Sequence, residues 1–556
     1  MVPEAHCDYN FQLSGRTRSM NDTGTLNFLW SQAIIAGFVA AGVSDAVISP
    51  GSRSTPLALA ILRQPGLRCQ VAVDERSAAF FGLGIAKATR RPVLLLATSG
   101  TAPANWLPAV VEAGQAGVPL ILISADRPPE LQGCGANQTI NQLGLFGSQV
   151  RASHALGTPE PGFDPGHLHR LAAQVCEQAS WPHPGPVHLN QPFREPLLPT
   201  APTPAANIPP TIPAAPPILR PDPATVLDLA QRISGRPGLI VCGEMPARPG
   251  QNEALVALAA RLRCPLLAEP LSGLRFGPHQ QSNISVRYHD CLSDPAFSEQ
   301  DKPEWILRFG GYPVTRKLQN FLAGFSGTQA LADPWPRWSD PAHRLTHLLR
   351  AEPAAACRAL LDAAPAPAPD SWLASYLALE TQATTRTGHP HIRTLIDELP
   401  DGAALFVGNS LAIRQLDTDS GSAAKSLHIH ANRGASGIDG NISTAAGIAA
   451  NYRRTVALIG DLTCQHDIGG LALAQGRDLV LIVVNNGGGG IFDHLPQHEL
   501  PEFVAGWRTP QTIDFEHAAL AFGIAYSRAD SNEAFRSALR TALAAGGPQL
   551  IELNTA

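Results

Sequence analysis

Short, unbroken apolar runs recur along this chain between helix-length segments, and that alternation limits the fold more than any other feature. PVLLLA (92–97) and PLILIS (119–124) lie in the first third, GLIVCG and WILRFGG in the middle, and LFVGN, TVALIGD and LVLIVVNN in the last third. Apolar runs of this length between helices suit parallel strands covered on both faces. The simplest architecture is α/β, with three doubly wound parallel-sheet domains. A chain of 556 residues is also too long for one core. Two Pro/Ala-rich stretches, 199–223 and 364–370, favour extended backbone and read as linkers. They predict an N-terminal extension at 1–24, a first domain at 25–198, a central domain at 224–363 and a last domain at 371–556. The stretch from 25 to 41 reads as a helix.

Charge narrows the function. Lys and Arg number 41 against 46 Asp and Glu, a formal net charge of −5. A general nucleic-acid binder would show a basic excess. No apolar run approaches the ~20 residues that span a bilayer. The nine cysteines are scattered without a CxxC pair, and MVPEAHCDYNFQLSG lacks the apolar centre of a secretory signal. A cytoplasmic protein with reduced thiols is the expectation.

In doubly wound sheets, ligands bind beyond the carboxyl ends of strands. The loops SPGSRS, ATSGTA, ISADRP, VGNSLA, IGDLT and VNNGGGG all fall there. Gly460-Asp461 ends one apolar run and Asn485-Asn486 ends another, 25 positions later. An Asp and an Asn at neighbouring strand ends can hold a hard cation such as Mg²⁺ through oxygen, with phosphate oxygens completing its shell. The glycines at 487–490 let backbone approach a phosphate. Either dipeptide alone is an ordinary strand-to-turn signal; the pair at this spacing resembles thiamine-diphosphate enzymes. That resemblance implies Asp461, the Asn486 side chain and the Gly488 carbonyl as metal ligands, with Mn²⁺ an alternative to Mg²⁺. It implies Gly408, Asn409, Ser410, Leu462 and Thr463 around the diphosphate. It also gives a role to Glu75, in AVDERSAAFFGLG, which precedes a small-residue helix. A glutamate there bonds the aminopyrimidine ring and shares its proton, a task suited to a shielded carboxyl. The local alternative is a carboxylate favoured by a helix N-terminus. Because the two cofactor halves usually meet different subunits, a homodimer or dimer of dimers is implied.

Finer motifs narrow the resemblance. SPGSRSTPLALA (49–60), ADRPPEL (125–131), CGANQTINQ (134–142), GNSLAIRQLD (408–417), NRGASGIDGNISTAAG (432–447) and IVVNNGGGGIF (482–492) are similar to the SEPHCHC synthase family of menaquinone (or phylloquinone) biosynthesis. That family decarboxylates 2-oxoglutarate and adds the succinyl carbanion equivalent to isochorismate in a 1,4-addition. Its substrates bring four carboxylates, which demand cations. The match implies Arg53 and Arg127, with the pair Arg316-Lys317, at isochorismate. It implies Arg414 and Arg433 at the succinyl carboxylate, where Ser410 also contacts substrate. Arginine's planar fork suits such bidentate contacts. Asn137 and Gln138 would hydrogen-bond substrate or water. Ile438 would wedge under the cofactor, and Phe492 and Leu495 would wall the isochorismate site. For each arginine the local alternative is solvation or an ion pair, such as Asp126 with Arg127. His466, His494 and the HPH at 389–391 lack metal-ligand spacing and read as loop or surface histidines.

Two departures stand out. Gly490 replaces a glutamine common in the family, and the central third carries no dinucleotide fingerprint. The competing readings are another thiamine-diphosphate carboligase or decarboxylase of the acetolactate-synthase kind, and a catalytically silent binding protein.

Overall fold

The computed structural model describes residues 22–200, 209–210, 212, 216–294, 297, 302–383 and 388–555. Residues 1–21 of the predicted extension at 1–24 and much of the linker at 199–223 lie outside them. Three six-stranded sheets, parallel throughout, follow one another along the chain. The first runs, edge to edge, Arg68–Val71, Asp45–Ile48, Val93–Ala97, Leu120–Asp126, Pro186–Pro192, Ala152–Ala155. The third repeats that order with Leu427–His430, Ala403–Val407, Thr455–Gly460, Leu479–Asn485, Gln549–Asn554 and Ala525–Ala529. The middle sheet differs: His347–Leu349, Thr328–Ala332, Trp305–Phe309, Gly238–Cys242, Leu266–Ala268, Ile284–Ser285. This is the order of dinucleotide-binding folds. Yet the crevice beyond Cys242 and Phe309 holds only about 20 Å³, crowded by Trp335, Arg337 and Glu352.

The apolar runs became strands covered on both faces. Val93–Ala97 is buried at every position, as is Leu120–Asp126. The predicted helix at 25–41 forms as Thr23–Ala40, and the Asp22 carboxylate accepts the Thr25 N–H at its start. One expected boundary shifts in packing terms. Asp370–Ala383 follows the 364–370 stretch, yet Trp372 and Tyr376 pack on Leu239, Val241 and Ile306 of the middle sheet.

First and last sheets share a single apolar core. Phe80, Phe81 and Leu83 lie in it with Ile442, Ala446 and Ile448. The junction is the crossing of helix Glu75–Thr89 with helix Asn441–Ala449. Glycine makes it possible. A Cβ on Gly84 would lie 2.1 Å from the Thr444 carbonyl oxygen, and one on Gly447 would lie 2.0 Å from that of Phe81.

Beside this junction the half-buried His430 lies near Lys87 and Arg90. Burial and then these two cations push its imidazole down to about 3. The unfolded chain binds that proton near pH 6.5, whereas the folded chain does not. Neutral His430 therefore supports folding above pH 6.5, and the support fades as pH falls. Against a His430→Gln variant, the parent should lose about 1.4 kcal/mol of unfolding free energy per pH unit below 6.5. Denaturant unfolding at pH 7, 6 and 5 measures this, and a constant difference would refute it.

Candidate active site

The strand order reverses between Ala403–Val407 and Thr455–Gly460, and a cavity of about 840 Å³ opens there. Asn409, Ser410, Arg414, Arg433, Ile438, Gly460–Thr463, Asn486, Gly488–Phe492 and Leu495 line it, joined by Gly388–His391 and Asn554. Register sets its floor. Gly460 pairs with Val484 on the neighbouring strand, which places Asp461 opposite Asn485. The two asparagines then divide the work. Asn485 is structural: its amide donates to Glu552 at 2.7 Å, and its oxygen accepts the Gly487 N–H at 3.0 Å. Asn486 Oδ1 is buried with no hydrogen-bond partner among the described residues. Asp461 accepts from the Leu462 and Gly488 amides, both at 2.7 Å. Burial raises its carboxyl above the usual range, against the pull of those amides.

An orphaned amide oxygen beside a buried carboxylate is the donor set a Mg²⁺ ion takes. The glycine run completes the shape. Gly488 sits at φ +128°, and a Cβ on it would meet the Arg508 carbonyl oxygen at 2.4 Å. At Gly490 a Cβ would come within 2.5 Å of the Asn486 amide nitrogen, so glycine leaves that side chain room. Arg508, which the sequence did not single out, braces the loop. It donates to the Asn486 carbonyl at 2.6 Å, and its own carbonyl accepts the Gly489 N–H at 2.7 Å.

The opposite wall is cationic. Arg414 donates to the Ser410 carbonyl and Arg433 to Asn409 Oδ1, both at 2.6 Å. Among the described residues neither makes an ion pair. Burial, with Arg433 nearby, lowers the proton affinity of the Arg414 guanidinium. Two guanidiniums without counterions at one wall call for an anion. Ser410 holds φ +66°, a strained value for a side-chain-bearing residue, at the start of helix Leu411–Asp419. That helix is anchored from the middle sheet. Arg275 donates to the Asp417 carbonyl at 2.7 Å and forms a fully buried ion pair with its carboxylate. Burial works against the Asp417 charge, but Arg275 and then His289 hold its carboxyl below the usual range.

Ile438, Phe492 and Leu495 line the cavity half-exposed, as walls and not as core. His466 and His494 are exposed as expected. The HPH reading needs correction: His391 is buried in the cavity wall, and His389 pairs with Asp419 at 2.7 Å. Nothing in their spacing marked them, because strand Ala403–Val407 and helix Leu411–Asp419 had first to bring Asp419 alongside.

The first block's candidates gather elsewhere, at the matching reversal of the first sheet. Arg53 is buried, donating to the Phe193 carbonyl at 3.0 Å and pairing with Glu195 at 2.8 Å. Arg127 does not pair with Asp126. That carboxylate accepts from Asn190 and from the Arg127 backbone N–H, while the guanidinium bonds the Ser99 hydroxyl. Burial and then Arg53 lower the Arg127 guanidinium's proton affinity. Gln138, at φ +55°, donates to the Ser99 carbonyl at 2.9 Å, and Asn137 is exposed. A second cavity of about 510 Å³ adjoins Asp126, Arg127 and 139–143. Glu75 opens its helix half-buried, outside both cavities; Asp74 does the capping, accepting from Arg76 and Ser77. Arg316 and Lys317 are exposed at the start of helix Arg316–Gly324 and line neither cavity.

Two family models match the chain. The thiamine pyrophosphate enzyme N-terminal TPP binding domain covers residues 30–145, and the C-terminal TPP binding domain covers 419–553. A 2-succinyl-5-enolpyruvyl-6-hydroxy-3-cyclohexene-1-carboxylate synthase from Dechloromonas aromatica is 69% identical over 534 residues, spanning 96% of this chain and 99% of that protein. The chain belongs to the SEPHCHC synthase family. Synthases from Rubrobacter xylanophilus (40% identical, 96% of each chain) and Geobacillus kaustophilus (39% identical, 95% of each) extend the match. Benzoylformate decarboxylase from Polynucleobacter necessarius shares the fold, with a TM-score of 0.72, 17% identity, and coverage of 94% of this chain and 98% of that one. As in other members of the SEPHCHC synthase family, the cofactor is thiamine diphosphate. No helix among the described residues is long and apolar enough to cross a membrane.

Proposed function

We propose that the chain decarboxylates 2-oxoglutarate and joins the resulting succinyl unit to isochorismate in menaquinone biosynthesis. The observation that carries this reading is the pair of unpaired guanidiniums, Arg414 and Arg433, across one cavity from Asp461 and Asn486. A dicarboxylate that loses one carboxyl group as CO₂ still needs a cation for the other. Thiamine diphosphate, when bound, supplies the electron sink for carbon–carbon cleavage. Asp461, Asn486 and the Gly488 carbonyl would hold Mg²⁺, or Mn²⁺, with the diphosphate. Gly408, Asn409 and Ser410, with Leu462 and Thr463, would bind the diphosphate, and Ile438 would support the cofactor. Ser410, Arg414 and Arg433 bind the 2-oxo acid. Arg53, Arg127, Asn137 and Gln138, with Arg316 and Lys317, orient isochorismate against Phe492 and Leu495. Glu75 holds a proton at the aminopyrimidine nitrogen.

Glu75 lies outside the large cavity, so a second copy must supply it. The exposed Val71 and Val73 beside Glu75 support a homodimer as the active unit. The test is CO₂ release from 2-oxoglutarate with thiamine diphosphate and Mg²⁺, with and without isochorismate. Isochorismate-dependent release is expected. Release from pyruvate and not 2-oxoglutarate would overturn the substrate reading in favour of an acetolactate-synthase-like carboligase, and cofactor binding without turnover would favour a silent binding protein.

A further inference from the structure

Glu112 is a carboxylate with an unusual address. It sits in the apolar helix Leu107–Ala116 of the first sheet's layer, 3% exposed. Its two oxygens accept successive backbone N–H groups from the last block, Gly434 at 2.9 Å and Ala435 at 2.7 Å. Lys87, 5% exposed on the Glu75 helix, lies 3.6 Å from Glu112 and donates to the Ala431 carbonyl at 2.7 Å. The 431–435 backbone is thus held at both ends by one buried ion pair from another domain. Gly434 is pressed so closely on that helix that a Cβ would meet the Glu112 carbonyl oxygen at 2.4 Å and the Ala116 nitrogen at 2.7 Å.

The clamped loop carries Arg433. It also orders Asn409, whose amide donates to the Asn432 and Gly437 carbonyls at 2.9 and 2.8 Å and whose oxygen receives Arg433. We infer that Glu112, neutralised by Lys87, is a positioning residue for Arg433 and Asn409, fixing the substrate-carboxylate and diphosphate contacts of the cavity from outside it. This rests on the function proposed above for the substrate, but not for the cofactor. A charged acceptor suits the task. Two consecutive amides aimed at one carboxylate make charge-assisted bonds, and the lysine lowers the cost of burying that charge.

The experiment compares Glu112→Ala, Glu112→Gln and the charge-balanced double variant Lys87→Met/Glu112→Gln with the parent. The readouts are thiamine diphosphate Kd by tryptophan fluorescence, KM and kcat for 2-oxoglutarate, and Tm. Both Kd and KM should rise tenfold or more in Glu112→Ala, and less in Glu112→Gln, which keeps one acceptor. The double variant removes the buried lone charge, so it reads positioning even if Glu112→Ala fails to fold. Parental Kd and KM in a folded double variant, or a lowered Tm with neither constant moved, would overturn the inference. Should the parent bind cofactor yet turn over no 2-oxoglutarate, the proposed function fails, and the Kd comparison still decides the role of Glu112.

Discussion

Glu75→Gln is expected to lower isochorismate-dependent CO₂ release by about 10²- to 10⁴-fold, the range lost with a positioned proton-transfer group. Glutamine keeps the size of the side chain and one acceptor but cannot hold the proton. Fold and cofactor affinity should therefore survive. Asp74, not Glu75, accepts the free N–H groups that open the helix, so Tm should move little. Measured kcat, thiamine diphosphate Kd and Tm separate these claims. A kcat within threefold of the parent would show that the proton is handled elsewhere. Mixing Glu75→Gln with a variant disabled at Asp461 sharpens the test. If each site draws its glutamate from one chain and its metal ligands from the other, each mixed dimer regains one intact site of two, and an equal, freely exchanging mixture returns towards about a quarter of the parent's activity.

Asp461→Ala should be as severe by a different route. Removing this carboxylate leaves Asn486 and the Gly488 carbonyl as neutral oxygens facing a divalent cation and a diphosphate. It also frees two amides, those of Leu462 and Gly488, that the carboxylate now satisfies. A metal ion is worth several kcal/mol in such a site, so loss of about 4 kcal/mol corresponds to about 10³-fold in kcat/KM. Mg²⁺ titration followed by activity should show the metal requirement shifted beyond millimolar. Parental Mg²⁺ dependence in Asp461→Ala would remove Asp461 from the metal site.

The sheets were legible because an apolar run covered on both faces has few other fates, and the turns after them carried enough glycine and asparagine to place the site. That the Gly460-Asp461 and Asn485-Asn486 turns end neighbouring strands could be read from the apolar runs before them. What could not be read was anything decided between blocks. Arg508 braces the Asn486 loop from a segment, GWRTP, with no periodic signal. His391 looked like a surface histidine because the helix that buries it is short and its neighbours come from elsewhere. Glu112 did leave a trace, an acid on the buried side of an apolar helix among Ala109, Val110 and Ala113. The amides it accepts, of Gly434 and Ala435, lie more than 300 residues away, beyond the reach of local pattern. Arg53 and Arg127 could be read as loop arginines, but their partners, Glu195 and Ser99, emerged only with the fold.

The shared core of the first and last sheets has a consequence for synthesis. Phe80 and Phe81 leave the ribosome about 360 residues before Ile442 and Ala446, the residues that cover them. At roughly 5–20 residues per second, that interval is on the order of tens of seconds. For that time the nascent first block presents an apolar helix face, cut with glycine to fit a partner not yet made. Its completion is a late, long-range event of the kind that slows folding. The nascent chain is thus a natural client for holdase chaperones, and pauses in translation downstream of the first block lengthen its exposure.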